Sequence, residues 1–277
     1  MKIDKLLFGP AGSPHSSKDR SPTAGVEEVR NLGLGCMELE FVRQVFLKED
    51  AAKELKEVAK KNNVILTSHA PYYINLTSPE KAKINASKKR IIHAAQIAWL
   101  AGAYSVTFHA AYYMGRDPEK IYEDVKKELK DIIRSLTDQG NKIWIRPETT
   151  GKPSQFGTVD EILNLSQELD QVMPCIDFSH LHARSGGKEN TLAEFRQVLE
   201  KVEKKLGKKG LNNMHIHVSG INYTEKGERN HLNLKQSDLN YKDLINVFKE
   251  FRIKGAVISE SPNLEDDALL LMRLYSN

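Results

Sequence analysis

CIDFSHLHA (residues 175–183) opens as a buried β-strand and then places Asp177, His180 and His182 within its last seven positions. An acid and two imidazoles are costly in an apolar core unless they are partnered. The stretch therefore reads as a strand that ends by opening onto something other than core. Eight segments share this character, short and apolar until their ends: KIDKLLFG (2–9), CMELEF (36–41), VILTSHA (64–70), SVTFHA (105–110), KIWIRPE (142–148), MPCIDFSH (173–180), NMHIHVS (213–219) and GAVISES (255–261). Between them run stretches with helical periodicity, such as EDAAKELKEVAKKN, PEKIYEDVKKELKDIIRSLTDQG and TLAEFRQVLEKVEKKLG. Near-continuous apolar strands alternating with amphipathic helices imply a parallel sheet covered by helices. Eight such units in 277 residues predict one α/β domain over 1–277, a closed (β/α)8 TIM barrel. GPAGSPHSS after the first strand lacks the glycine fingerprint of a dinucleotide-binding sheet.

The formal charge of +4 permits a polyanionic partner without requiring one. The two cysteines, Cys36 and Cys175, lie inside apolar strand segments and read as reduced core residues, not as a staple of a secreted fold. No apolar run resembles a signal peptide or a membrane span. A cytoplasmic monomer with no membrane partner is the expectation.

In a (β/α)8 barrel the C-terminal strand ends build the active site. Here they carry His69, His109, Glu148, Asp177, His180, the pair His215 and His217, and Glu260, with His231 in the loop after the seventh strand. Histidines placed for packing would not sort this way. Imidazoles with carboxylates and no thiolate form a donor set for zinc, manganese or iron with open positions. So many donors exceed what one tetrahedral ion uses. Two or three ions sharing carboxylates would use them, and paired metals are a usual device for displacement at phosphorus.

Other polar residues read more plainly. His93 sits mid-helix as a packed or surface side chain, and the basic runs at 88–90 and 201–209 as solvated helix faces. Glu38 and Glu40 alternate with apolar residues, so one face of the second strand points acids toward the barrel. Loop cations Arg116, Arg146 or Lys152, Arg184 and Arg229 could meet a nucleic-acid backbone. The tyrosine doublets Tyr72–Tyr73 and Tyr112–Tyr113 could stack on a distorted duplex or pack at loop bases.

SHAPYYINLTSP (68–79), FHAAYYMG (108–115), PETTGKPSQFG (147–157), CIDFSHLHARSGG (175–187) and ISESP (258–262) together resemble the endonuclease IV family of apurinic/apyrimidinic endonucleases, across nearly the whole barrel. The resemblance implies zinc, two or three ions with manganese as an alternative, and cleavage of double-stranded DNA 5′ to an abasic site. The products would be a 3′-hydroxyl and a 5′-deoxyribose phosphate. It implies one ion on His69, His109 and Glu148. A second would share Glu148 and use Asp177, a histidine of the seventh strand and Glu260, and a third would use His180 and His231. Glu148 becomes the catalytic carboxylate. Tyr72, Arg116, Lys152, Arg184 and Arg229 become the nucleic-acid contacts.

Two departures stand out. HIHVSG offers both His215 and His217 where the family has one histidine; both point to one side of a strand, and His217 is preferred because it lies nearer the rim. GERNH matches His231, but the acid, Glu228, stands three positions before it instead of two. The alternative reading is a one-ion sugar isomerase or epimerase of a related barrel, with Glu148 and Glu260 moving protons. His69, His109, His180 and His231 discriminate, since a one-metal isomerase does not require them.

Overall fold

The computed structural model describes residues 3–277. Lys2, the first position of the expected first strand, lies outside the described residues. Eight strands form the barrel: β1 (Leu6–Pro10), β2 (Cys36–Glu40), β3 (Ile65–His69), β4 (Ser105–Phe108), β5 (Trp144–Pro147), β6 (Ile176–Asp177), β7 (Met214–Val218) and β8 (Gly255–Ser259). All neighbours pair in parallel. β2, β3, β4 and β5 form one run, and β1, β8, β7 and β6 the other. Single bridges close the ring, Ala11 to Glu38 between β1 and β2, and Ile145 to Val172 and Glu148 to Cys175 between β5 and β6. At the first seam a Cβ on Gly9 would sit 1.7 Å from the Cys36 carbonyl oxygen, so only glycine lets the two strands approach.

Helices α1 (Pro22–Asn31), α2 (Glu49–Asn62), α3 (Lys81–Leu100), α4 (Pro118–Thr137), α5 (Val159–Glu168), α6 (Phe178–Arg184), α7 (Leu192–Leu211), α8 (Tyr241–Phe251) and α9 (Glu265–Ser276) connect them. Local chemistry sets their starts. Ser21 caps α1 with Pro22 in its first turn, and Thr158 and Glu161 form a reciprocal capping box on α5. α4 buries Ile121, Val125, Leu129, Ile132 and Leu136, a stripe at helical spacing that packs on the barrel wall.

The structure departs from the sequence expectation at the sixth strand. It stops at Asp177, whose side chain caps α6 by accepting from the His180 backbone N–H, so His180 belongs to a helix and not to a strand. Two antiparallel additions were also not foreseen. Ala111–Tyr112 pairs with Gln155–Phe156, tying together the loops after β4 and β5. A hairpin of Gly220–Thr224 and Gly227–Leu232 follows β7 and folds against the loop after β5. There Gly227 adopts φ +89° and a Cβ would meet the Gly151 oxygen at 2.2 Å.

The barrel interior is unusually polar for a fold whose centre is mostly filled by branched aliphatics. Glu38, Ser105, Arg146, His215 and His217 are all buried there. Among the described residues no helix is long and apolar enough to cross a membrane.

Candidate metal centre

Glu148 follows β5 directly and stands at the middle of the mouth. Its Oε2 lies 3.2 Å from His69 Nε2 and 3.3 Å from His109 Nε2, while its Oε1 lies 3.1 Å from His217 Nδ1 and 3.3 Å from His180 Nδ1. At the rim three groups of donors have their ligand atoms within 4.8 Å of one another: His69, His109 and Glu148; Glu148, Asp177, His217 and Glu260; and His180, Glu228 and His231. Glu148 belongs to two of them. Two donors on one tetrahedral zinc ion sit roughly 3.3 Å apart, from bond lengths near 2.0–2.1 Å, and the Glu148 contacts with His69, His109 and His217 lie close to that value.

The donor atoms fit a cation in a second way. Asp177 Oδ2, Glu260 Oε2, His180 Nε2 and His231 Nε2 are buried yet find no hydrogen-bond partner among the described residues. Unsatisfied buried polar atoms are rare in folded proteins, and each one calls for an explanation. Asp177 shows how the backbone arranges this: Oδ1 is spent on the α6 cap at 2.8 Å, which leaves Oδ2 aimed into the cluster.

Backbone contacts also set the imidazole rings. His69 Nδ1 is 2.7 Å from the Ala70 carbonyl, His180 Nδ1 3.0 Å from that of Thr149, and His231 Nδ1 3.2 Å from that of Glu260. Donation from Nδ1 leaves Nε2 as the free donor to a metal, the usual arrangement behind a metal-bound histidine. His217 is turned the other way. Its Nδ1 faces Glu148 and Glu260, at 3.1 and 3.3 Å, and its Nε2 points down the barrel to Glu38 Oε1 at 2.9 Å.

Electrostatics follow from this crowding. Burial alone would raise Glu148, but the charges of His217 and His109 outweigh it and hold the carboxyl well below its usual range. Burial likewise opposes protonation of His69, yet the hydrogen bond and charge of Glu148 raise it to about 10. Burial pushes Asp177 up to about 6, against the pull of His180. Protons and cations thus compete for the same lone pairs.

The third group exists because of an irregularity in the hairpin. Ile221 pairs with His231 and Asn222 with Asn230, but Tyr223 pairs with Glu228, so Arg229 is an extra, bulged residue. In a regular strand positions three apart face opposite sides. The bulge absorbs the additional residue and brings Glu228 and His231 to the same side, with Glu228 Oε2 3.4 Å from His180 Nε2 and Oε1 3.8 Å from His231 Nε2. The displaced acid of GERNH is back in position.

Several expected residues sit elsewhere. His215 lies one step down the barrel, its Nδ1 3.0 Å from Ser105 Oγ and its Nε2 2.9 Å from Glu38 Oε2, outside the three rim groups. Arg146, counted among rim cations, is buried at the opposite end of the barrel: Nη1 donates to the Pro174 carbonyl at 2.6 Å and Nη2 to Asn213. It faces the same way as Glu148 two positions later, but toward the strand starts. Arg184 Nη1 donates to the Thr150, Lys152 and Gln155 carbonyls, so this guanidinium fastens the loop after β5 instead of standing free for a phosphate. Arg116 pairs with Asp124 at the surface, Lys152 is half-buried, and Arg229 is exposed on the hairpin. Tyr72 is 54% exposed and sits edge-on to His69, ring centroids 5.5 Å apart. His182 contacts Asp238 at 3.0 Å, away from the donors.

Glu40 is the mouth residue that sequence reasoning left undecided. It pairs in register with His69, and burial, reinforced by the charge of Glu38, pushes its carboxyl up to about 8. The strand alternation that placed it inward was the available signal.

Comparison with known proteins places the chain in a family. The xylose isomerase-like TIM barrel family matches residues 26–275. The chain belongs to that family. An uncharacterised protein of Methanocaldococcus jannaschii is 46% identical over 98% of this chain and 97% of its own length. A probable endonuclease 4 of Mycoplasma genitalium is 22% identical over 76% of this chain and 71% of its own. Two solved structures share the fold to a similar degree. A D-tagatose 3-epimerase-like protein has a TM-score of 0.72 at 19% identity, covering 98% of this chain and 96% of its own. Endonuclease IV from Thermus thermophilus has a TM-score of 0.70 at 18% identity, covering 98% and 97%. At such identities the likeness is one of fold.

Proposed function

We propose that this xylose isomerase-like barrel is a zinc-dependent phosphodiesterase that hydrolyses double-stranded DNA 5′ to an abasic site, leaving a 3′-hydroxyl and a 5′-deoxyribose phosphate. The observation that carries the reading is the sharing of Glu148 by two donor groups with a third alongside. A one-ion epimerase has no use for His69, His109, His180 and His231 beyond the Glu148, Asp177, His217 and Glu260 set. The imidazole-rich, thiolate-free donors suit zinc, with manganese as the alternative ion. The motif resemblance to endonuclease IV and the relative named probable endonuclease 4 point the same way.

Ions held by these residues would supply Lewis-acid stabilisation of phosphate charge and a nucleophile near neutral pH. The chain itself supplies the rest. Glu148 holds two donor groups in one place, and Asp177, locked as a helix cap, presents one fixed oxygen. Partly exposed His109, Glu228, His231 and Glu260 line the open side of the cluster. Tyr72 offers an aromatic face beside His69 for an unstacked nucleotide. Lys152, Arg116 and Arg229 supply cations for backbone phosphates. A cytoplasmic setting suits two buried free thiols, Cys36 and Cys175.

The test is a metal count on the purified protein together with a nicking assay on a duplex carrying one abasic site, with and without chelator. Two or three bound ions and chelator-sensitive incision are expected. A single ion, no incision and turnover of a ketohexose would replace the reading with the epimerase one.

A further inference from the structure

We infer that Glu38 is a positioning residue of the metal centre, holding the ring of His217 so that Nδ1 faces Glu148, Asp177 and Glu260, with His215 as the second partner that keeps the carboxylate in place. The inference rests on the metal-centre reading above, though not on any particular substrate.

Glu38 lies in the middle of β2 and is fully buried. A buried carboxylate costs several kcal/mol unless it is partnered, and the partners it has are two imidazoles. Oε1 is 2.9 Å from His217 Nε2 and Oε2 is 2.9 Å from His215 Nε2. These are close contacts and not aligned hydrogen bonds, and neither carboxylate oxygen has another partner among the described residues. Both oxygens are therefore committed to the two rings.

The orientation of His217 needs such a group. His69, His180 and His231 each rest Nδ1 against a backbone carbonyl and free Nε2. His217 is the inverted case, freeing Nδ1 for the rim and sending Nε2 into the barrel, where strand carbonyls are consumed by the sheet ladder. Glu38 takes the place that a carbonyl takes for the other three. A ligating histidine commonly gives its second ring nitrogen to a carboxylate, which fixes ring orientation and strengthens the ligand.

His215 completes the device and accounts for two histidines in HIHVSG. Two residues apart on β7, they face the same side. His215 is braced by Ser105 Oγ on its Nδ1 at 3.0 Å and meets Glu38 through Nε2. A carboxylate touching one ring could still turn about its last bond; contact with two removes that freedom. The result is a line of side chains from Ser105 through His215 and Glu38 to His217 and the rim. Cys175, His215 and His217 also bring donor atoms within 4.8 Å of one another, so an ion seated there is the competing reading. Against it, each ring nitrogen of His215 already has a neighbour.

The decisive measurement is zinc titration against a chromophoric chelator on the full chain, with cobalt(II) visible spectra and thermal midpoints taken on the same samples. Wild type is compared with Glu38→Gln, which keeps the shape, and with the milder His215→Asn. The expected result for Glu38→Gln is one ion of the set weakened about 10- to 100-fold, a changed cobalt band, and the remaining ions at wild-type affinity. His215→Asn should weaken the same ion by a smaller factor. Wild-type affinity for every ion in both variants, even with a lower thermal midpoint, would reduce Glu38 to packing and overturn the inference. An additional equivalent present in wild type and lost from both variants would overturn it in favour of a buried metal site. A wild type that binds no divalent ion would remove the metal-centre reading itself, whereas a metal-replete wild type that fails to nick abasic DNA would leave this inference standing.

Discussion

Arg146 on β5 and Glu148 directly after it are two residues apart, point into the same barrel, and are both buried. They differ in what surrounds them. The Arg146 guanidinium has carbonyl partners at Pro174 and Asn213, the Asn213 side chain, and the Tyr104 ring 5.1 Å away. Glu148 meets four imidazoles at 3.1–3.3 Å, among donor atoms that lack hydrogen-bond partners. Burial of a charge therefore does not mark function at either end. What distinguishes the mouth is that several converging donor atoms from different elements are left without hydrogen-bond partners, whereas at the base both terminal nitrogens of the Arg146 guanidinium donate to protein groups and its Nε alone lacks a partner among the described residues.

The comparison breaks most visibly at Glu148. Glu148→Gln removes the shared carboxylate, so incision of an abasic duplex should fall by at least about 10²–10³-fold, the scale seen when a group stabilising transition-state charge is removed. Metal analysis of the same protein should show loss from both groups that contain Glu148. Full cleavage with an unchanged metal count would refute the shared role. At the base the consequence should be stability instead. Arg146→Met strips the buried Pro174 carbonyl and the part-buried Asn213 carbonyl of their donor, a cost of about 3 kcal/mol. Calorimetry should find a thermal midpoint lower by roughly 5–10 °C, with the metal count unchanged.

That pair also shows where the sequence was readable. Eight strands could be located because parallel strands buried on both faces read as apolar runs, and seven donor residues stood out because each ended such a run. Arg146 was misassigned to the rim because a spacing of two sets the face and roughly 6–7 Å of travel along a strand, but not which end of the barrel a side chain reaches. Arg184 has the residue type of a phosphate contact, and the carbonyls of residues 150, 152 and 155 that occupy it come together only through folding. Glu38 faced inward by alternation, yet its partners lie 177 and 179 positions away on β7, a distance no local pattern spans.

Removal of metal should separate the two ends again, with an effect on stability of similar size. Ions that bind only the folded chain stabilise it in proportion to the logarithm of their concentration over their dissociation constant. A chelator should therefore lower the thermal midpoint of wild type and of Arg146→Met alike, by an amount worth about 3–4 kcal/mol for tightly held ions. Glu148→Gln should respond much less. Equal chelator shifts in all three proteins would mean that the ions sit somewhere other than the mouth.

The smallest effect is expected at the bulge. If Arg229 is the residue that lets a spacing of three behave as a spacing of two, deleting it should regularise the hairpin and leave Glu228 and His231 on one face. The third ion should then be retained with an affinity within a few-fold of wild type. Inserting an alanine after Asn230 instead makes the spacing four and leaves one extra residue beyond the existing bulge, turning Glu228 away from His231 and costing that ion. The same deletion removes one exposed cation, so the slope of log affinity for DNA against log salt should become shallower by about one unit. Retention of the ion with no change in salt slope would keep the bulge argument and discard Arg229 as a phosphate contact. Loss of the ion on deletion would mean that Glu228 is placed by the hairpin's packing on Gly151, and not by the register of its own strand.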